Sequence, residues 1–391
     1  MKALGLFLGV EPNAGGMFQY AQSILEGLRP LTAEGVHVEV AYVDALWRPL
    51  LDKYPFNAVE LTKGKAGQQM AAMMMFLRLP APLIRWLSGL INPVHAQLAA
   101  LQCDLYLFPA QDALAYQVNL PVVSSIHDLM HRYEFGFPEV SKGGRFGIRE
   151  HRFRNLAHWS KAVLVDSQIG REQVVASYGT SADKVHPLPY VAPSYIHDPE
   201  PADFDQRYPM PAKFLFYPAQ FWAHKNHQRL DDAAALVRDC CPDIALVFTG
   251  GHRHGYDALR AHVDRVGLAD RVLFPGYVPD AYLSGFYRRA RALVMPTFFG
   301  PTNIPPLEAF ACGCAVAISG TYGMPEQAHG AALHFDPRST PEIAEVIRQL
   351  WLDDALCLQL VARGHENAQT WSQADFGHKL RDILRTTAQS A

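Results

Sequence analysis

The stretch ALVMPTFFGPTNIPPLEAFACGCAVAIS, residues 292–319, decides the fold. An unbroken apolar run from Ala292 ends at Pro296, a loop follows, a helix is predicted over 304–312, and a second apolar run covers Ala315–Ser319. Short apolar runs without alternation mark strands buried on both faces. Proline suits a first helical turn, and Thr302 or Asn303 can cap it. Strand, loop, helix, strand is one step of a parallel sheet. A helix that starts just beyond the C-terminal end of such a strand offers N–H groups and the positive end of its dipole to an anion. Glu308 lies one turn inside. It is ill suited to phosphate but can accept hydrogen bonds from ribose hydroxyls; the alternative is that it merely complements the dipole.

The same alternation extends both ways. Strands are predicted over 2–9, 36–43, 105–109, 122–126 and 162–167, then over 213–219, 244–250, 271–278, 292–296, 315–319 and 331–335. Helical patterns fall between them at 17–28, 168–177, 226–239, 255–267 and 280–290, and a last helix begins near Trp371. From Pro187 to Pro211 the chain carries seven prolines and no sustained period, which reads as a linker. The predicted architecture is α/β, with two doubly wound, Rossmann-like domains facing each other across a cleft. Residues 1–190 form the first, completed by a C-terminal helix in 371–391; 191–211 is a proline-rich linker; 212–370 form the second.

Composition agrees. The chain has 391 residues, 49% hydrophobic, enough for two cores of ordinary size. Its net charge of −3 gives no field for nucleic acid. Six cysteines without zinc-like spacing suggest reduced thiols and a cytoplasmic protein, and the N-terminal run, broken by Glu11 and Pro12, reads as a first strand rather than a signal peptide. Residues 68–93 are apolar but interrupted by Arg78, Pro80, Pro82 and Arg85, so they do not make a spanning helix. They are either helices packed on the first core or an interfacial patch at the inner face of a membrane. The basic stretch 142–161 favours peripheral membrane contact; a solvated helix face is its other explanation.

Three more stretches carry candidate chemistry. In KFLFYPAQFWAHKNHQRLDDAAAL, 213–236, the loop residues Gln220, Lys225 and Asn226 follow a strand, and a lysine there can neutralise a diphosphate or simply be solvated. The histidines of HKNH and of His252–Arg253–His254 lack companion carboxylates or cysteines, so no metal is expected. In GVEPNAGGMFQYAQSILEGL, 9–28, Gly15 and Gly16 allow close backbone approach to a ligand, although the spacing is neither that of a dinucleotide fold nor of a P-loop. In SSIHDLMH, His127 and Asp128 follow a strand directly; a loop histidine is the plain alternative.

Taken in order, these stretches, with VFTGG around Gly250, VLFPGYVPDAYLSGFYRRARALVMPT and YGMPEQAHGAALHFDP, resemble the retaining GT-B glycosyltransferases of glycosyltransferase family 4. The resemblance covers most of the chain and is strongest over 213–336. It implies that the second domain binds a nucleotide-sugar and the first receives the acceptor. Glu308 would contact the ribose, the Asn303 and Ile304 amides the diphosphate, and Lys225 would neutralise it. Gly15 and Gly16 would approach the diphosphate, His127 would lie near the donor sugar, and Val278 near the base. Two positions depart from the family pattern: Gly300 replaces the first glutamate of its E-x7-E motif, and Gln220 replaces its arginine. The phrase GPTNIPPLEA leans toward bacterial polysaccharide mannosyltransferases.

The expected function is therefore transfer of a hexose from a GDP- or UDP-sugar, with a lean to mannose from GDP-mannose, onto a glycan or lipid-linked glycan in cell-surface polysaccharide synthesis. The configuration would be retained, without metal or cofactor. A GT-B epimerase, a phosphorylase, or a non-catalytic nucleotide-sugar binder are the alternatives.

Overall fold

The computed structural model describes residues 1–12, 15–62, 73, 79–252 and 255–389. Its first sheet contains β1 (Ala3–Leu8), β2 (His37–Tyr42), β3 (Asn57–Glu60), β4 (Leu105–Phe108), β5 (Val122–Ser125), β6 (Ala162–Val165) and β7 (Val185–Pro187). Their order is β3-β2-β1-β4-β5-β6-β7, and β1 runs parallel to both β2 and β4. The second sheet contains β8 (Leu215–Pro218), β9 (Leu246–Thr249), β10 (Val272–Gly276), β11 (Ala292–Met295), β12 (Ala315–Ser319) and β13 (Leu333–Phe335), ordered β10-β9-β8-β11-β12-β13. Here β8 lies parallel to β9 and β11. The order reverses at β1/β4 and again at β8/β11, so each sheet is doubly wound and Rossmann-like.

The central strands read clearly in the sequence because both their faces are covered: β4, β5, β6, β9, β11 and β12 are buried throughout. Strands β3 and β7 escape a sequence reading for the opposite reason. They are short edge strands, and β3 is exposed at both ends, so neither needs an apolar run.

The chain divides into two compact units. The first comprises Met1–Phe135, Val140–Tyr190 and Gln373–Ala391; the second comprises Gly136–Glu139 and Val191–Ser372. Within the first, the helix Gln373–Gln389 packs along the helix Gly16–Leu28. Gly27 and Gly377 meet there so closely that a Cβ on either would fall 3.1 Å from the other's Cα. Arg381 donates to the Gly27 carbonyl over 2.7 Å, and Phe376, Leu380 and Leu384 are buried beside it.

One expectation needs correction. The proline-rich stretch 191–211 is not a bare linker, because it carries core residues of the second unit. Ile196, Phe204 and Tyr208 are buried against Phe286 and its neighbours. The Arg289 guanidinium lies 4.2 Å from the Phe204 ring and pairs with Glu200 and Asp205. Proline breaks regular structure there without preventing burial, since the aromatic side chains between the prolines supply the apolar area.

Residues 68–72 and 74–78 of the candidate interfacial segment lie outside the described residues. The remainder includes the helix Ala81–Ile91, which buries Ala81, Ile84 and Ser88. Among the described residues no helix is long and apolar enough to cross a membrane. The basic stretch 142–161 becomes mainly the helix Arg145–Trp159, whose cations are partly used internally. Arg149 pairs with Asp128, and Arg154 joins Arg132 on Glu150. These pairs use part of the helix's positive charge internally, while Lys142 and Lys161 at the two ends of the stretch are exposed.

Candidate functional site

In the second unit the topological switch falls between β8 and β11, and the loops after these two strands hold most of the candidate donor-binding residues. They are tied together. The His224 carbonyl accepts from the Phe298 amide at 2.9 Å and from the Thr297 hydroxyl at 3.3 Å. Asn226, at φ 63°, donates its side-chain amide to the Pro296 and Pro337 carbonyls at 3.0 and 2.8 Å. The buried Tyr217 hydroxyl donates to the Lys225 carbonyl over 3.0 Å. Asn226 thus acts as a brace for the lysine beside it, its own amide being committed to backbone.

This bracing places Lys225 against the start of the helix Ile304–Cys312. Its ammonium donates to Asn303 Oδ1 over 3.4 Å. Pro305 and Pro306 have no N–H, so the first turn has only the amides of Asn303 and Ile304, the first of them held by Gln327. Gln327 reaches into the same spot, accepting from the Asn303 amide at 3.2 Å and donating to its carbonyl at 2.7 Å. A half-buried ammonium, a helix start and a side-chain amide thus converge where an anion is favoured. Thr302 is buried in this loop.

Glu308 is 4% exposed. Both its oxygens accept phenolic protons, Oε1 from Tyr195 and Oε2 from Tyr287 over 2.5 Å. Burial pushes its carboxyl above the usual range, and the two phenols offset this only in part. Tyr287 is fully buried, whereas Tyr195 is only partly so. A ribose hydroxyl could therefore reach Glu308 only by displacing Tyr195, the outer partner.

Gly300 accounts for the missing glutamate. It holds φ 87°, and a Cβ there would meet the Thr302 carbonyl oxygen at 2.6 Å and the Asn303 amide at 2.9 Å. Only glycine takes that conformation without strain, and no side chain fits the space. The departure is built into the loop.

A carboxylate that sequence reasoning missed lies nearby. Glu139, in the short Gly136–Glu139 portion of the second unit, places Oε1 3.3 Å from His224 Nδ1. Burial would raise its carboxyl, but the side-chain and backbone hydrogen bonds to His224 dominate and hold it down at about 2. The His224 ring stacks on Phe299 at 3.8 Å, and Phe137 packs against Phe298 and Phe299. No spacing in the sequence links residue 139 to 224, so no motif could have found this pair.

The remaining donor-side residues are plainly placed. Gly250 lies against the Ala219 carbonyl, and the exposed Gln220 borders Gly251. Val278 is buried in the second core, while the preceding Tyr277 is 58% exposed. His227, the other histidine of HKNH, stacks on Tyr217 at 4.6 Å, and burial lowers it to about 3. His252 stacks on Tyr256, and His254 lies outside the described residues. Among the described residues no group of His, Cys, Asp and Glu is placed to hold a metal ion.

In the first unit Gly15, exposed, precedes the helix that begins at Gly16. His127 follows β5, as its sequence position implied. Its Nε2 lies 2.9 Å from the Pro109 carbonyl and its Nδ1 2.9 Å from the Tyr190 hydroxyl. A carbonyl can only accept, so Nε2 carries the proton and Nδ1 accepts from Tyr190. Burial lowers the ring's proton affinity. Both nitrogens are committed, so within its own unit His127 is a neutral, fully bonded group rather than a waiting base.

Comparison with known proteins gives this geometry a context. Residues 200–370 match the family described as Glycosyl transferases group 1. The chain is 26% identical over 255 residues to O-antigen chain mannosyltransferase B of Escherichia coli, covering 64% of this chain and 66% of that protein. A second Escherichia coli relative, the serotype-specific mannosyltransferase WbdA, is 26% identical over 36% of this chain and 17% of its own length. The chain therefore spans less than two thirds of these relatives. Among solved structures, Anabaena Alr3699/HepE in complex with UDP and glucose superposes with a TM-score of 0.73 at 16% identity, covering 99% of this chain and all of that one. WaaG, a glycosyltransferase involved in lipopolysaccharide biosynthesis, superposes at 0.68 and 15% identity, over 97% and 99% of the two chains. Residues 200–370 thus match the group 1 glycosyl transferases, and the chain has the GT-B fold of its structural neighbours.

Proposed function

We propose that the chain is a retaining glycosyltransferase that moves a hexose, with mannose from GDP-mannose as the leading donor, to a hydroxyl of a glycan or lipid-linked glycan in cell-surface polysaccharide synthesis. The observation that carries this reading is the meeting of Lys225 with Asn303 at the β8/β11 switch point. There an ammonium and a helix start would hold the two phosphates of a nucleotide-sugar. As the bond from the anomeric carbon to the phosphate oxygen breaks, negative charge grows on the diphosphate, and fixed positive groups stabilise it. The acceptor oxygen bonds to the anomeric carbon on the face the diphosphate leaves, and its proton passes to a diphosphate oxygen. Lys225 supplies the charge, so the scheme calls for neither metal nor cofactor. The mannosyltransferase relatives support mannose, and a neighbour bound to UDP supports a nucleotide-sugar donor. A lipid-linked acceptor would bring this otherwise cytoplasmic enzyme to the inner face of a membrane.

The test is thermal stabilisation by GDP, UDP, ADP and dTDP, followed by transfer from the sugar conjugate of the best binder. GDP and GDP-mannose are expected to lead. Lys225→Ala should cut turnover about 100-fold or more; undiminished turnover would remove Lys225 from the mechanism. Binding without transfer to any acceptor would favour the non-catalytic reading, which Gly300 and the capped Glu308 keep open.

A further inference from the structure

The stretch YGMPEQAHGAALHFDP places Gln327 in the short helix Met324–Ala328, which follows β12. Met324 and Ala328 are buried in the second core and hold this helix to it. The Gln327 amide N–H donates to the Gly323 carbonyl over 2.9 Å, and its own carbonyl accepts from Asn367 Nδ2 at 3.0 Å. With the main chain fixed on both sides, the freedom left to Gln327 is in its side chain.

That side chain is seated on Asn303. Oε1 accepts from the Asn303 N–H at 3.2 Å while Nε2 donates to the Asn303 carbonyl over 2.7 Å. An oxygen has to face an N–H and an amino group a carbonyl, so the partners fix the orientation of the amide. The amide is planar and rigid, so the two bonds form and break together. The Asn303 side chain is engaged as well. Its Oδ1 accepts from Lys225, and its Nδ2 donates to the Phe299 carbonyl at 3.0 Å and meets Met324 Sδ at 3.6 Å. Both donors of Asn303, main chain and side chain, are thus in use. Of these partners Gln327 leaves most easily, by rotation about side-chain bonds; Phe299 contributes main chain, and the Met324 side chain is buried.

We propose that Gln327 is an internal stand-in for phosphate that sets the affinity of the donor site: the diphosphate of the nucleotide-sugar takes the Asn303 N–H by displacing the Gln327 amide, and the amide returns after transfer. A phosphate oxygen is charged, and a charge-assisted hydrogen bond is about twice as strong as the neutral bond it replaces. The exchange therefore runs forward when a diphosphate arrives. The two neutral bonds given up lower the net affinity. The nucleoside diphosphate left after transfer is accordingly held less tightly than Lys225 and the helix start alone would hold it. Product release limits turnover in many enzymes, and a returning glutamine favours it. The inference rests on the diphosphate reading of this site and names the residue with which the phosphate competes.

The experiment is calorimetric titration of the full chain with GDP and UDP, and with guanosine and uridine as controls. It is run on wild type, Gln327→Leu, Gln327→Ala and Gln327→Glu, with melting temperatures to show that each is folded. Leucine or alanine leaves the Asn303 N–H open, so Kd for the better-bound diphosphate should fall about five- to tenfold. Glutamate puts a carboxylate where the phosphate has to sit, so Kd should rise at least about tenfold. The nucleosides carry no phosphate and should bind all four proteins alike. In transfer assays Gln327→Leu should lower KM for the nucleotide-sugar and kcat together, and deepen inhibition by the diphosphate product. A glutamine that merely braced the loop would make every substitution weaken binding. That result, or an unchanged Kd in both Gln327→Leu and Gln327→Ala, would overturn the proposal. A wild type that binds neither diphosphate would remove the diphosphate reading and this inference with it. Binding that responds as expected, without transfer to any acceptor, would support the inference and count against the transferase alone.

Discussion

At the scale of single residues, the site is defined by what each polar group already holds. Gly300 shows that the family's missing glutamate cannot simply be restored. Gly300→Glu should destabilise the fold by about 1–3 kcal/mol and leave transfer no faster, as denaturant melts and initial rates would reveal. Tyr195 makes a sharper case. Tyr195→Phe removes one of two donors from a buried carboxylate, so the free protein should lose about 1–3 kcal/mol. A ribose hydroxyl that replaces the lost donor would return part of that, so stabilisation by the nucleotide should grow in the variant. A smaller shift than in wild type would place the ribose elsewhere. That Lys225 and Asn303 lie together was legible, because each follows a strand at the switch point of the second sheet. Glu139 was not, since its partner His224 is distant in sequence. The committed hydrogen bonds of His127, Asn226 and Glu308 were also invisible, because a sequence names a side chain without saying which neighbour has claimed it.

Elements are governed by burial and its effect on charge. His227 opens the helix His227–Leu236 and is stacked neutral among Tyr217, Phe221 and Phe248. Its folded-state proton affinity is depressed, to about 3, relative to an ordinary histidine at 6.5. The unfolded chain therefore binds a proton in that window while the native one does not. Stability conferred by the neutral ring is complete above about pH 6.5 and is lost as pH falls toward 3, by up to about 1.4 kcal/mol per pH unit for this one group. His227→Phe should flatten that part of the melting-temperature profile; an unchanged slope would show that other groups set it. The central strands could be read from apolar runs, whereas β3 and β7 could not, because an edge position relaxes the demand for a greasy sequence. The stretch 191–211 deceived in the other direction. Its prolines announced a break, but Phe204 and Tyr208 between them are anchored in the second core.

For the whole molecule, the notable fact is that neither unit is a continuous piece of chain. The first needs the helix Gln373–Gln389, whose Phe376, Leu380 and Leu384 fit against Gly16–Leu28. Ending the chain after Ser372 should remove about 1.5–3 kcal/mol for each of these buried side chains and expose an apolar face. Differential scanning calorimetry should then show the first unit melting early or absent; an unaltered thermogram would mean the helix is dispensable. Synthesis adds a further consequence. The first unit is translated first yet must wait for its final helix, while the ribosome makes Val191–Ser372 in roughly 10–40 s. Every part of the second unit, Gly136–Glu139 included, has been made before that helix exists. The half of the protein born later can therefore mature earlier, and the nascent first half must spend that interval with its Gly16–Leu28 helix uncovered, a natural client for a chaperone.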